Sequence, residues 1–294
     1  MRIDLHTHST RSDGTVPVAE LVAAAAATGL DVVAVTDHDT ASGWDEALDA
    51  AGRHGIGLVR GMEISTQVRG SSVHLLAYLP DAEEPALAAE LQRIRGGRDG
   101  RLPQMLEQLA GAGYPVTADD VAAVTAPGAV PGRPHVADAL VARGMVADRD
   151  QAFAELLDTG RPGYVGRYAP ATLDAVRLVA GAGGVSVLAH PGGRGGGQVL
   201  SDEVVASLAD AGLGGLEADH QDHDRAARDR LRALAADLDL VVTGSSDFHG
   251  AGKKDHELGC NLTDQAELER LLDRAARSAT AAGREVPAYL PPAQ

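Results

Sequence analysis

Aromatic side chains are scarce: 294 residues contain 1 tryptophan, 2 phenylalanines and 5 tyrosines. Alanine and glycine carry the bulk instead, so helices have to pack closely through small side chains. A single cysteine, Cys260, excludes an internal disulfide and fits a reducing compartment, so the cytoplasm is the expected location. No apolar run approaches the roughly 20 residues needed to span a bilayer. The N-terminus also lacks the basic-then-apolar pattern of a secretory leader, and no membrane partner is expected. Positive charge is in deficit, with 26 Lys and Arg against 42 Asp and Glu and a net charge of −16. A general nucleic-acid binder presents a basic face, so duplex nucleic acid is not an expected partner. A small anion drawn to a local metal-rich pocket remains compatible with that charge. The length permits one large or two moderate domains, and oligomeric state is left open.

What the chain does have is chemistry at the ends of apolar strands. Ile3-Asp4-Leu5 runs into His6-Thr7-His8, with Asp13 a short turn later. Residues two apart in a strand face the same side, so His6 and His8 can converge on one point. Val32-Val33-Ala34-Val35 ends in Thr36-Asp37-His38, and Leu58-Val59-Arg60-Gly61-Met62 ends in Glu63, with His74 beyond. Val185-Ser186-Val187-Leu188-Ala189 delivers His190, and Leu240-Val241-Val242-Thr243-Gly244 leads to Asp247 and His249. Five strands carrying His, Asp or Glu at their carboxyl ends is how a parallel α/β barrel builds a site on its C-terminal rim. Imidazoles mixed with carboxylates suit a divalent first-row metal.

Between these strands the pattern predicts helices over 17–27, 42–53, 171–181, 201–211, 224–236 and 263–276, and a further strand over 214–218. Strands 57–64 and 72–79 read as an antiparallel pair. The alternation of strand and helix predicts an α/β fold with a mainly parallel sheet. From about 81 to 168 the rhythm breaks into helical stretches (84–95, 101–112, 117–124, 135–143 and 148–158) punctuated by Gly and Pro. The expected organisation is a barrel of residues 1–80 and 169–294 interrupted by a small helical insertion, 81–168. The tail 287–294 is expected to be only partly ordered.

His6-Thr7-His8, Thr36-Asp37-His38, Gly61-Met62-Glu63, Ala189-His190-Pro191 and Ser246-Asp247-Phe248-His249 together resemble the motifs of the PHP-domain (polymerase and histidinol phosphatase) metal-dependent phosphoesterases. The resemblance extends from residue 1 to about Gly259 and is nearest to the family's nucleotide phosphatases. It implies a distorted (βα)7 TIM-like barrel with a helical cap. It also implies a three-metal cluster: His6, His8, Glu63 and Asp247 at one ion, Glu63, His74 and His190 at a second, and Asp13, His38 and His249 at a third. Two to three divalent ions are expected, manganese first, with iron or zinc as alternatives. Such a cluster acidifies a bound water, which serves as the nucleophile, so no protein nucleophile is expected. The implied reaction is removal of the 3′-phosphate from a nucleoside 3′,5′-bisphosphate. The alternatives are 5′→3′ exonuclease action on short RNA, histidinol-phosphate hydrolysis and, from another class, metal-dependent nucleotide sensing without catalysis.

Within the insertion, Gly132-Arg133-Pro134-His135 matches the family segment that places an arginine and a histidine over the site. Arg133 and His135 are therefore expected to bind substrate phosphate, with Arg167 and Lys253 as further candidates. The planar guanidinium fork matches phosphate oxygens. Asp37 and His220 are expected to orient ligands from behind. His256 is expected to be solvent-facing or a local hydrogen bonder, and the glycine run 192–197 a flexible rim loop rather than a phosphate cradle.

Overall fold

In the computed structural model, residues 1–99, 101–126, 131–166, 168–193 and 199–293 are described. Seven strands form one sheet in chain order: β1 Ile3–Asp4, β2 Val32–Val35, β3 Gly57–Val68, β4 Ser71–Tyr78, β5 Val185–Leu188, β6 Gly215–Asp219 and β7 Val241–Gly244. β1, β2 and β3 are parallel neighbours, β4 runs antiparallel to both β3 and β5, and β5, β6 and β7 are again parallel. The barrel is thus distorted by one reversed strand. Its seam is nearly closed: Thr7 bridges Phe248 in parallel, and the His8 amide donates to the Phe248 carbonyl at 2.8 Å. Asp4 closes the seam deeper down, accepting from the amides of Ser246 at 3.0 Å and Gly259 at 2.8 Å.

Helices α1 Val18–Ala27 and α2 Trp44–His54 follow β1 and β2, and Val18, Leu21, Ala47 and Ala50 pack on Val33, Val35 and Leu58. The β3–β4 turn needs no helix, because antiparallel neighbours can join through a hairpin. Alternate residues of six strands, among them Ile3, Val32, Val59, Leu76, Val187 and Val241, form one cluster and so face a shared interior.

Between β4 and β5 lie α3 Pro85–Asp99, α4 Arg101–Gly111, α5 Ala118–Val124, α6 Arg133–Ala142, α7 Arg149–Ala152 and a π-helical turn, Phe153–Leu157. Leu87, Leu91 and Ile94 of α3 pack with the barrel. Met105, Leu109, Val121, Val136, Leu140 and Leu157 form a separate hydrophobic cluster, so the expected edge at 81 precedes a helix that belongs to the barrel's core. The alternation resumes with α8 Thr172–Gly181 just ahead of β5, then α9 Asp202–Asp210, α10 Arg225–Asp237 and α11 Gln265–Ala281 after β5, β6 and β7. α8 packs on β3, β4 and β5 despite preceding β5, since the helical excursion returns there. Among the described residues no helix is long and apolar enough to cross a membrane.

The tail departs from expectation. The Leu58 amide donates to the Leu290 carbonyl at 2.8 Å, and the Ala293 amide to the Gly55 carbonyl at 3.0 Å. Tyr289 packs beside the barrel cluster. Residues 287–293 therefore dock on the start of β3, a contact no local pattern announces.

Asp4→Ala should leave the buried Ser246 amide and the half-buried Gly259 amide, across the seam, without an acceptor. The expected loss is about 1.5–3 kcal/mol, read as a lower urea midpoint with an unchanged m-value. An unchanged midpoint would show that the seam holds without this carboxylate.

Candidate metal centre

The strand ends meet on one rim, and Glu63 lies at their centre. Its carboxylate is buried and faces five imidazoles. His6 Nε2 (3.3 Å), His8 Nε2 (3.1 Å) and His38 Nδ1 (3.2 Å) approach Oε2, while His74 Nδ1 (2.9 Å) and His190 Nε2 (3.1 Å) approach Oε1. Asp247 Oδ1 lies 3.5 Å from His6 Nε2, 3.4 Å from His8 Nε2 and 3.4 Å from His249 Nδ1. Asp13 bridges His249 Nε2 at 3.3 Å and His38 Nε2 at 3.7 Å. His74 reaches this rim from the first half of its strand because β4 is reversed, opposing Ser65 of β3.

Local backbone aims these groups. Asp37 accepts from the Ser9 amide at 2.8 Å and from the Ser9 and Ser12 hydroxyls at 2.7 Å each, holding the turn that presents Asp13. It touches the loop rather than a ligand imidazole. Gly14 closes that turn, since a Cβ there would meet the His8 carbonyl at 2.4 Å. His190 and Asp247 have φ of 29° and 51°, the left-handed region that costs a non-glycine residue energy and that accumulates at functional sites.

Asp247 Oδ2 faces away from this pair. It meets His220 Nε2 at 3.2 Å and the Lys253 ammonium. Lys253, expected at substrate phosphate, sits on this carboxylate while also lining the cavity above. His256 is buried rather than solvent-facing, bonded through Nδ1 to the Ser246 carbonyl at 2.7 Å. Beneath the rim, Glu217 contacts His6 Nδ1 at 3.0 Å. No motif singled out Glu217; an acid between Leu216 and Ala218 in the strand Gly215–Asp219 was the available signal.

Four groups of donor atoms lie within 4.8 Å of one another among the described residues: His6–His8–Asp247, His38–Glu63–His74, His8–Asp13–His38–His249 and His220–Asp247–His256. All nine expected ligands line this one region. The grouping differs from the expected assignment in sharing His8, His38 and Asp247 rather than Glu63 between groups, in adding His220 and His256, and in leaving out His190, whose Nε2 meets Glu63. Two observations fit metal occupancy. His6 Nε2 and His8 Nε2 face each other at 3.0 Å, each also against carboxylates. His38 Nδ1 is buried with no aligned hydrogen-bond partner, although Glu63 is near. Converging imidazole nitrogens and carboxylate oxygens without thiolate suit a divalent first-row ion.

Without metal, the charges lean on one another. Burial would lower the pKa of His6, but Glu217, Glu63 and Asp247 drive it well above an ordinary imidazole. Burial is likewise outweighed at His8, where Asp247 and Glu63 push it up to about 10. At His38 burial wins over Glu63 and Asp13, bringing it down to about 3. Burial would raise Glu63, yet His74, His38 and His6 hold it well below the usual carboxylate range.

A cavity of about 1370 Å³ opens above the cluster. Its floor includes Glu63, His190 and Asp247, and its roof Arg133, Arg149 and Phe153 from the helical unit. The Arg133 guanidinium lies 5.7 Å from the ring centroids of Phe153 and of Tyr164. His135 does not reach the cavity wall: it is buried, and its Nδ1 accepts from the Gly132 amide at 3.0 Å at the start of α6. That bond satisfies an amide the helix cannot and takes up the ring's Nδ1. Arg167 lies outside the described residues, as does most of the 192–197 glycine run. Arg149, which the sequence reading passed over, pairs with Asp138 through two 2.5 Å contacts and donates to the Gly252 carbonyl at 2.8 Å. It links the helical unit to the rim.

A PHP-domain family profile matches residues 4–115. Over 257 residues the chain is 36% identical to the 3′,5′-nucleoside bisphosphate phosphatase of Chromobacterium violaceum, covering 87% of this chain and 90% of the relative. The chain belongs to the PHP-domain family. Another relative, the 5′-3′ exoribonuclease of Haemophilus influenzae, is 35% identical over 248 residues, covering 84% of this chain and 90% of its own. A solved structure from Bifidobacterium adolescentis, described as a candidate metal-dependent phosphoesterase, superposes with a TM-score of 0.88 at 40% identity. It covers 92% of this chain and 96% of its own. The PHP fold thus spans the helical unit as well as the barrel.

Metal ligands must be deprotonated, so ions compete with the protons on His6 and His8. Both are held above neutral pH in the metal-free site. Zinc added to chelator-stripped protein near pH 7 should therefore release protons, and its apparent affinity should rise as pH rises. Calorimetry in buffers of different ionisation enthalpy reads this directly; identical heats in all buffers would contradict the ligation of these histidines.

Proposed function

We propose that this PHP-domain protein is a metal-dependent phosphoesterase that removes the 3′-phosphate from nucleoside 3′,5′-bisphosphates, leaving nucleoside 5′-monophosphate and inorganic phosphate. The observation that carries this reading is that one cavity holds the imidazole–carboxylate cluster on its floor and Arg133 on its roof. Two anion-binding points in one chamber match a substrate with one phosphate to cleave and one to hold. His6, His8, Glu63 and Asp247 would hold one divalent ion, Glu63, His74 and His190 a second, and Asp13, His38 and His249 a third. Manganese is the first choice, with iron or zinc as alternatives.

When bound, such ions supply Lewis acidity for the phosphoryl oxygens and an acidified water. Hydrolysis would join the water oxygen to phosphorus and break the P–O3′ bond, one proton of that water ending on the 3′-oxygen and the other on the released phosphate. Arg133 would grip the uncleaved 5′-phosphate with its planar fork, and the aromatic rings beneath it restrict its swing. Lys253 would sit beside Asp247, adding positive charge at the cavity wall. Residues 101–166 would act as the cap that excludes bulk water. The excess of acid over base disfavours long nucleic acids as partners. A cytoplasmic location belongs to the same proposal, resting on the lone, unpaired cysteine.

The cavity volume favours one second reading. At about 1370 Å³ it exceeds the roughly 300–1,000 Å³ typical of small-ligand pockets, which leaves room for a short oligonucleotide. A panel of 3′,5′-bisphosphate, 5′-monophosphate, histidinol phosphate and short 5′-phosphorylated RNA, assayed with manganese, separates the readings. Preference for RNA over bisphosphate would select the exonuclease, and no hydrolysis of any substrate would sink both.

Arg133→Ala should lower kcat/KM for the bisphosphate on the order of ten- to a hundredfold, the value of a charge-assisted contact of about 1.5–3 kcal/mol. Turnover of a simple aryl phosphate should change little, and Arg133→Lys should rescue only in part. Equal losses on both substrates would place Arg133 at the reacting phosphoryl group instead.

A further inference from the structure

Glu217 is an ionisable residue at the centre of the barrel that no motif and no ligand assignment uses. It is fully buried on β6. Its two oxygens meet three hydrogen-bond donors. Oε1 accepts from His6 Nδ1 at 3.0 Å and from the Ser245 hydroxyl, while Oε2 accepts from the backbone amide of His190 at 2.7 Å. His6 and His190 lie on opposite oxygens of Glu63, their rings stacked with centroids 5.8 Å apart.

We infer that Glu217 is a positioning residue that fixes His6 as its Nδ1–H tautomer and pins the strained backbone of His190, so that one buried carboxylate sets the ligand geometry of two adjacent metal sites. This rests on the metal-centre reading above. An ionised carboxylate only accepts, so the proton it shares with His6 must reside on Nδ1. The Nε2 lone pair is then left bare and aimed at Glu63, Asp247 and His8. Carboxylate-bonded imidazoles are also better ligands, because the second bond raises their basicity. The His190 amide bond matters separately: its residue has a φ of 29°, and a fixed acceptor holds the peptide there.

Glutamine cannot replace this group despite matching its shape. With its amide nitrogen toward His190, two donors collide. With the nitrogen toward His6, it donates to Nδ1 and drives the imidazole proton onto Nε2, blocking the ligand atom. Three donors on two oxygens require a carboxylate. Ser245→Ala removes one donor and leaves the other two bonds intact.

The test compares zinc affinity of wild type, Glu217→Gln and Ser245→Ala by competition with a chelating dye. Glu217→Gln should bind roughly ten- to a hundredfold more weakly, with Ser245→Ala near wild type. Glu217→Gln that folds and binds zinc as tightly as wild type overturns the inference while leaving the metal centre standing. A wild type that binds no zinc overturns the metal centre and this inference together. Should Glu217→Gln fail to fold, the zinc-loaded wild type decides the matter by nitrogen-edited NMR. A protected Nδ1 proton on His6 supports the inference, and a proton on Nε2 overturns it.

Discussion

The carboxylate of Glu63 is the point on which the rest depends. It is buried among five imidazole nitrogens, all within 3.3 Å. Buried charge of this density is tolerable only when it is compensated. In the metal-free protein the compensation is protonic, with Glu217, Glu63 and Asp247 raising the pKa of His6 and Asp247 and Glu63 that of His8. Divalent ions would do the same work with directional bonds. The whole rim is therefore a structure waiting for positive charge, and the barrel beneath it supplies the rigidity that keeps the donors from relaxing apart.

That rigidity has identifiable sources. Apolar side chains of six strands fill the interior, and the seam between first and last strands is tied by Asp4 and by the Thr7–Phe248 bridge. The reversed strand β4 is the fold's main irregularity and serves the site. Reversal brings the start of that strand to the active rim and carries His74 to Glu63. It also leaves the chain at the opposite end of the barrel after β4. β4 ends beside the start of β5, Tyr78 opposing Val185, and the helical excursion inserted between them brings Arg133 and Arg149 over the cluster. One reversed strand thus accounts for a ligand, and the insertion that follows it for a roof.

The roof and the floor divide the labour of recognition. Under the proposed function, imidazoles and carboxylates below would hold the metal and with it the reacting phosphoryl group, whatever it is attached to. Above, Arg133 over Phe153 and Tyr164 would be the selective element under the same proposal. Relatives at 36% and 35% identity carry different printed activities, a bisphosphate phosphatase and an exoribonuclease. Such a split is understandable if chemistry resides in the rim and choice of substrate in the cap.

The sequence by itself determined the fold class and most of the metal-centre candidates, because both are local properties. A buried strand ending in His or Asp is legible from a few consecutive residues, and the alternation of strand and helix implies a parallel barrel. What only the tertiary structure decided concerns partners distant in the chain. Glu217 looked like one acid in a strand until the barrel set it against His6, 211 residues away. His256 was one histidine past the last strand until folding buried it near Asp247. Lys253 and His135 were both candidate phosphate binders, and only folding showed Lys253 on Asp247 and the His135 Nδ1 on its own helix start. The docked tail has the same origin, since Leu290 finds Leu58 only once the barrel exists. Ligand identity follows from side-chain type at strand ends, whereas the hydrogen bonds that aim those ligands depend on which strand lies beside which. That adjacency is set by closing the barrel and is written in no single segment.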